Sequence, residues 1–179
     1  MVESAALKIV DGQEVDRLNI LIDWPDLVVS EKITELTGIT NEMLKNEGVT
    51  PEIAREAFKK FIEGFILVGH NIWNFDFKFL EQFLETTVEQ YRWYMNHFVD
   101  TAAHCKSSKL ANSERLFNET YEQWVADVME TRAFGVKFNV GLMCDELGID
   151  KSIGQHRAMN DVLLTNEIYK KVCLQLTKI

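Results

Sequence analysis

The run Phe65-Ile66-Leu67-Val68, closed on both sides by Gly64 and Gly69, constrains the fold more than any other stretch. Four apolar residues between glycines are too short for a helix and read as a buried strand. Before it, Thr50 and Pro51 start a helix: the threonine is a good N-cap and proline suits the first helical position. Ile53, Ala54, Ala57, Phe58 and Phe61 then form its apolar stripe, and Gly64 ends it. After the strand comes His70-Asn71, then a second helix carrying Phe79, Leu80, Phe83 and Leu84 inward. Helix, buried strand and helix in succession call for an α/β arrangement.

The flanking segments extend that pattern. Asp11-Gly12 between two alternating runs predicts a β-hairpin at the start, because both residues tolerate the positive φ of a tight turn. Ser30 and Thr40 set off short helical turns separated by Gly38. Thr87-Val88-Glu89-Gln90 has the form of a capping box and predicts a helix bearing Tyr91, Trp93, Tyr94 and Met95. "HFVDTAAH" predicts a short strand running into a helix. Lys106 to Val136 holds one or two amphipathic helices and is expected to be peripheral. A helix closed by Gly148 follows, then a long last helix with Ala158, Val162, Ile168, Val172 and Leu176 inward. The sum is one domain over residues 1–179, an α/β fold with a mixed sheet flanked by helices.

Chemistry concentrates at two places. In "VGHNIWNFDFKFL", Asp76 lies between Phe75 and Phe77, just past the carboxyl end of the predicted strand, where α/β sheets place ligands. An acid among aromatics is costly to bury unless something pairs with it, and a metal ion is one such partner. In "HRAMND", five positions separate His156 from Asp161, so a loop-borne imidazole hangs over a helix-borne carboxylate. Carboxylates that hold divalent ions beside a histidine that takes a proton from water suit metal-assisted hydrolysis. Taken singly, each residue also has a plain structural role. His156 can be a surface residue, Asp76 a helix-start carboxylate, Asp161 a solvated acid and Asp100 an N-cap.

Charge narrows the partners. A net charge of -9 and a sequence pI near 5.0 argue against binding nucleic acid through a broad basic surface. Cys105, Cys144 and Cys173 have no metal-type spacing and read as buried thiols in a reducing compartment. The amino terminus has no long apolar core, and no segment approaches the roughly 20 apolar residues that span a bilayer. A cytoplasmic protein with no membrane association is expected.

Together, "KITELTGITNEML", "VGHNIWNFDFKFL", "VDTAA" and "HRAMNDV" resemble, in order and placement, the DnaQ-like 3′–5′ exonucleases of the DEDDh subgroup. The resemblance runs from Glu3 to about Val172. It implies an RNase H-like fold, two Mg²⁺ or Mn²⁺ ions and release of nucleoside monophosphates from a 3′ end. Single-stranded or 3′-terminal nucleic acid would be the substrate, with a polymerase as a protein partner. Asp76 and Asp161 resemble the metal ligands of the second and third motifs, and His156 the general base. Asn71 resembles the second motif's supporting asparagine. Leu36, Thr37 and Ile39 resemble the segment lining the pocket of the 3′-terminal nucleotide. Trp73 either stacks on a base or packs.

One family element is missing. Members begin with a central strand bearing an acid-x-acid pair, and "VESAALKI" resembles the strand after it, with Glu3 no substitute for that pair. Two divalent ions about 4 Å apart need several carboxylates to offset their repulsion, so this chain alone should bind metal poorly. Truncation upstream of Met1 and genuine loss of catalysis both account for the gap. Hence the alternative to a nuclease is a degenerate, non-catalytic module that binds nucleic acid or a protein partner. An oligoribonuclease-like role on very short RNA shares the same site.

Overall fold

The structure, a computed structural model, describes residues 1–84 and 88–173, and only the backbone of residues 88, 90 and 91. It divides into two compact units, Met1–Phe65 with Lys151–Leu163, and Ile66–Asp150 with the segment from Leu164. In the first, β1 (Glu3–Val10) and β2 (Gln13–Leu21) form the expected antiparallel hairpin. Asp11 (φ 51°) and Gly12 (φ 76°) are both left-handed, the conformation of a two-residue turn whose twist matches the strands. A bulge shifts the register between Lys8 and Ile9, where Ile9 pairs with Glu14 and Val15 becomes the extra residue.

Two short helices follow, α1 (Glu31–Thr37) and α2 (Asn41–Glu47). Gly38 closes α1 at φ 72°, and Thr40 caps α2 by accepting the Met43 N–H. In α3 (Pro51–Ile62) Thr50 caps and Pro51 opens, as the sequence predicts. The buried face is rotated from the expected stripe. Pro51, Ala54, Phe58 and Ile62 are inside, whereas Ile53 is 58% exposed, because the face that meets the hairpin follows the 51-54-58-62 row. The Lys8 ammonium lies 4.6 Å from the centres of the Phe61 and Phe65 rings, covering their outer side.

The second unit holds β3 (Leu67–Gly69), α4 (Asp76–Leu84), α5 (Val88–Asn96), β4 (Phe98–Asp100) and α6 (Thr101–Ser107). Strands β3 and β4 pair in parallel, Leu67 opposite Phe98 and Gly69 opposite Asp100. The strands thus show both orientations, as expected, but as two two-stranded sheets. The central acidic strand expected to be absent has no counterpart among the described residues. Strand β3 departs from the expected buried strand: Ile66 is 59% and Val68 39% exposed, since only its β4 edge is paired among the described residues. The predicted capping box at Thr87 and the inward Tyr91 and Leu176 lie outside what is described.

Helix α7 (Tyr121–Glu130) corrects the expectation that residues 106–136 are peripheral. Its Trp124, Val125 and Val128 are core residues, packed with Ile72, Phe77, Phe98 and Ala103. Helix α8 (Val140–Leu147) ends at Gly148 as predicted. With the second half of α9 (Ala158–Val172) it forms another apolar cluster, Cys105, Met143, Cys144, Leu164 and Ile168. Helix α6 serves both clusters, presenting Ala103 to one and Cys105 to the other. No helix among the described residues is long and apolar enough to cross a membrane.

The α7 capping box is complete: Thr120 accepts from the Gln123 N–H at 3.2 Å, and the Gln123 side chain accepts from the Thr120 N–H at 3.1 Å. Thr120→Ala should therefore cost about 1 kcal/mol. Ser30→Ala should cost a few tenths at most, because Ser30 makes no side-chain cap bond to α1. Urea denaturation midpoints of the two variants at equal slope check the difference.

Candidate active site

The HNIW segment is built around one carboxylate. Asp100 is fully buried and accepts four backbone N–H bonds, from Asn71 (2.9 Å), Trp73 (3.1 Å), Ala102 (2.9 Å) and Ala103 (3.2 Å). Two of these cap α6, as the sequence suggests, and two fix the turn after β3. That turn needs help, because Asn71 stands at φ 65°, which favours glycine. Gly69 is required beneath it: a Cβ there would fall 2.7 Å from the Ile72 Cβ. His70 is held by its ring, with Nδ1 2.9 Å from the Thr101 hydroxyl and Nε2 donating to the Phe138 carbonyl. Burial lowers the His70 pKa, which favours the neutral ring with its proton on Nε2. Trp73 stacks on Phe98 at 5.8 Å and belongs to the core.

Asp76 is the first residue of α4. Burial is the main cause that raises its pKa from 3.8 to about 6; Asp100 nearby adds to the rise, and its own amide opposes it. Asp100 is also raised by burial, against the pull of its four N–H donors. The Asn71 side chain accepts from the Asn74 amide at 3.4 Å, which keeps it beside the turn.

In the other unit the HRAMND segment forms the entrance to α9. His156 is exposed and stands at φ 67°, a left-handed position that costs a residue of this type about 1 kcal/mol or more. Its N–H donates to Asp161 Oδ1 at 3.3 Å, so the histidine and the aspartate are brought together. Asp161 is partly buried; desolvation raises its pKa and Glu3 adds slightly, while the His156 N–H and imidazole lower it. Glu3 holds the same loop from β1, a role the sequence did not reveal. Its carboxylate accepts from Arg157 Nη2 (2.8 Å) and Nε (3.1 Å) and from the Ala158 N–H (2.8 Å).

Of the pocket-lining candidates, Leu36 is 55% exposed on α1 and has an apolar neighbour the sequence reading passed over, Ile33, at 44%. Ile39 is 1% exposed and packs with Val29 and Leu44, so its side chain supports from beneath. Thr37 ties the bend after α1, donating to the Ile33 carbonyl and accepting from the Ile39 N–H.

Metal fit follows from the donor set. Asp76 and Asp161 each carry hard carboxylate oxygens, the donor type that suits divalent ions, and a raised pKa that a nearby cation would bring down. Among the described residues no group of three or more His, Cys, Asp or Glu is placed to hold an ion. The set is therefore short of what two divalent ions need.

A family model described as Exonuclease matches residues 1–169. The chain belongs to this exonuclease family. A DNA polymerase III of the PolC type from Thermotoga petrophila is 30% identical over the whole chain, which spans 11% of that protein. The DNA polymerase III subunit epsilon of Aquifex aeolicus is 28% identical over 98% of this chain and 73% of its own length. A PolC-type polymerase of Halalkalibacterium halodurans is 39% identical over 45% of the chain. The chain thus spans about a tenth of the PolC-type relatives and belongs with DnaQ-like exonucleases, as its motifs imply.

The Asp76 shift has a definite sign. Its folded pKa lies above the unfolded one, so the fold favours the neutral acid. As pH rises from about 4 to 6 the unfolded chain ionises first, and stability is lost. In metal-free buffer, Asp76→Asn should be more stable than the parent above pH 6, by on the order of 1–3 kcal/mol, with no difference below pH 4. Thermal melts across that range with EDTA present would show it.

Proposed function

We propose that this exonuclease domain works from the 3′ end of single-stranded nucleic acid, releasing nucleoside monophosphates. The carrying observation is the His156–Asp161 pair at the entrance to α9, held in a left-handed turn beside a partly buried carboxylate with a raised pKa. His156, exposed beside the Asp161 carboxylate, accepts the proton of the attacking water. Asp76, and in the other unit Asp161, would each offer a carboxylate oxygen to a divalent ion. Mg²⁺ or Mn²⁺, when bound, supplies Lewis acidity toward the phosphate and lowers the pKa of water. Leu36 wedges the terminal base, Thr37 holds the bend beside it, and Asn71 supports the second-motif loop.

The setting is cytoplasmic, in keeping with buried thiols at Cys105 and Cys144. With a net charge of -9, the domain meets nucleic acid at a chain end and not along a basic face. A polymerase is the fitting protein partner, given that the relatives are named as DNA polymerase III. The shortfall of metal ligands favours one second reading, a non-catalytic module docking on such a partner.

The test is hydrolysis of 3′-labelled single-stranded DNA and RNA with Mn²⁺, by the chain alone and by a form extended upstream with an acid-x-acid strand. The extended form should release mononucleotides from the 3′ end. His156→Ala in it should lower turnover by about 10²-fold or more while leaving Mn²⁺ affinity within a few fold. An extended form that binds Mn²⁺ and cleaves nothing would leave the module reading in place.

A further inference from the structure

The clamp on the α9 entrance joins residues 154 positions apart, and its geometry exceeds what a simple ion pair requires. The Glu3 side chain is only 5% exposed, and both its oxygens accept from Arg157 Nε, at 3.1 Å and 3.2 Å. Oε1 takes Arg157 Nη2 at 2.8 Å and Nε at 3.1 Å, a forked contact that fixes the guanidinium plane. Oε2 takes the Ala158 N–H at 2.8 Å, one of the unpaired donors at the start of α9. Arg157 and Ala158 are the two residues after His156. On its other side stands Gly154 at φ 81°, and Asn160 reaches back to the Ile153 carbonyl at 2.6 Å.

His156 itself has a poor backbone anchor, a single 3.3 Å N–H bond to Asp161. Such a bond is too weak to hold a non-glycine residue at φ 67°. Asp161 in turn sits in the first turn of α9, its N–H donating to the Arg157 carbonyl at 3.0 Å. On the helix side both groups are therefore placed through Arg157 and Ala158, and Glu3 grips both.

We propose that Glu3 is a positioning residue: it holds the α9 entrance so that His156 stays left-handed, with its imidazole fixed relative to the Asp161 carboxylate. This rests on the nuclease reading for its purpose, but not for its geometry. Glu3 does not touch substrate. It acts through Arg157 and Ala158, and its loss lets His156 relax to negative φ while β1 and the rest of the unit persist.

The experiment uses the full chain and three variants, Glu3→Ala, Glu3→Gln and Arg157→Lys. The first readout is NMR without metal: a strong intraresidue HN–Hα contact at His156 reports positive φ. The parent should show it, and Glu3→Ala should lose it with little change at α3 amides. Glu3→Gln, which keeps an oxygen for the Ala158 N–H, should retain it in part and guards against failure of the alanine variant to fold. Arg157→Lys, which keeps charge and loses the fork, should fall between. The second readout is turnover with Mn²⁺ in whichever form of the chain cleaves. There kcat should fall about tenfold or more in Glu3→Ala with KM within about twofold, and recover partly in Glu3→Gln.

An unchanged His156 contact in folded Glu3→Ala overturns the proposal, as does uniform loosening of the whole unit, which marks mere stabilisation. Full activity in Glu3→Ala alongside loss in Asp161→Asn overturns the positioning role and leaves the nuclease reading standing. Absence of cleavage by every form fails the nuclease reading, and the NMR result then decides the clamp alone.

Discussion

The second unit depends on burying one carboxylate, Asp100, with no exposure at all. A charge in that position is tolerable only if its oxygens are saturated, and four backbone N–H groups do this from two directions. One pair belongs to the first turn of α6 and the other to the turn after β3. Because a single side chain satisfies both, the crossover strand and the HNIW turn cannot shift independently. The left-handed Asn71 and the glycine beneath Ile72 follow from that anchor.

The first unit solves the same problem with another acid. Glu3 on β1 grips the entrance to α9 much as Asp100 grips the entrance to α6, each combining a helix-start N–H with a second contact that fixes a neighbouring loop. In both cases a non-glycine residue of a chemistry-bearing motif, Asn71 or His156, is left with positive φ beside the anchor. Strain of this kind persists only where surrounding bonds over-determine the backbone, and here the bonds come from carboxylates distant in sequence.

Local signals were legible in the sequence. Asp11-Gly12, Thr40, Thr50-Pro51, Gly38 and Gly148 specify turns and helix ends through their own backbone preferences, and each stands where it was expected. Faces were less legible. On α3 the choice between Ile53 and Ile62 depends on which row meets the hairpin, and periodicity allows both. Residues 106–136 looked peripheral because the apolar pattern weakens there, yet Trp124 packs in a core cluster and ties its indole N–H to the Ser113 carbonyl at 2.7 Å. In the candidate site, motif spacing singled out His156, Asp161, Asp76 and Asn71. Spacing carries no trace of the Glu3–Arg157 fork, which exists only once β1 and α9 are folded together in one unit.

The acids of this chain can be sorted by what already satisfies them. Asp100 and Glu3 have their oxygens filled by backbone N–H groups and a guanidinium; a cation would displace bonds that hold the fold. Asp76 is different: its own amide opposes the effect of burial while Asp100 adds to it, and its pKa stands at about 6. Asp161 has one long N–H bond and is likewise raised. A carboxylate kept from water with few hydrogen-bond donors to its oxygens destabilises the molecule at neutral pH, and a bound divalent ion would reverse the sign of that effect. The same physical criterion separates Asp76 and Asp161 from Asp100 and Glu3, and it does so from hydrogen bonds and burial without appeal to the motifs in which they occur.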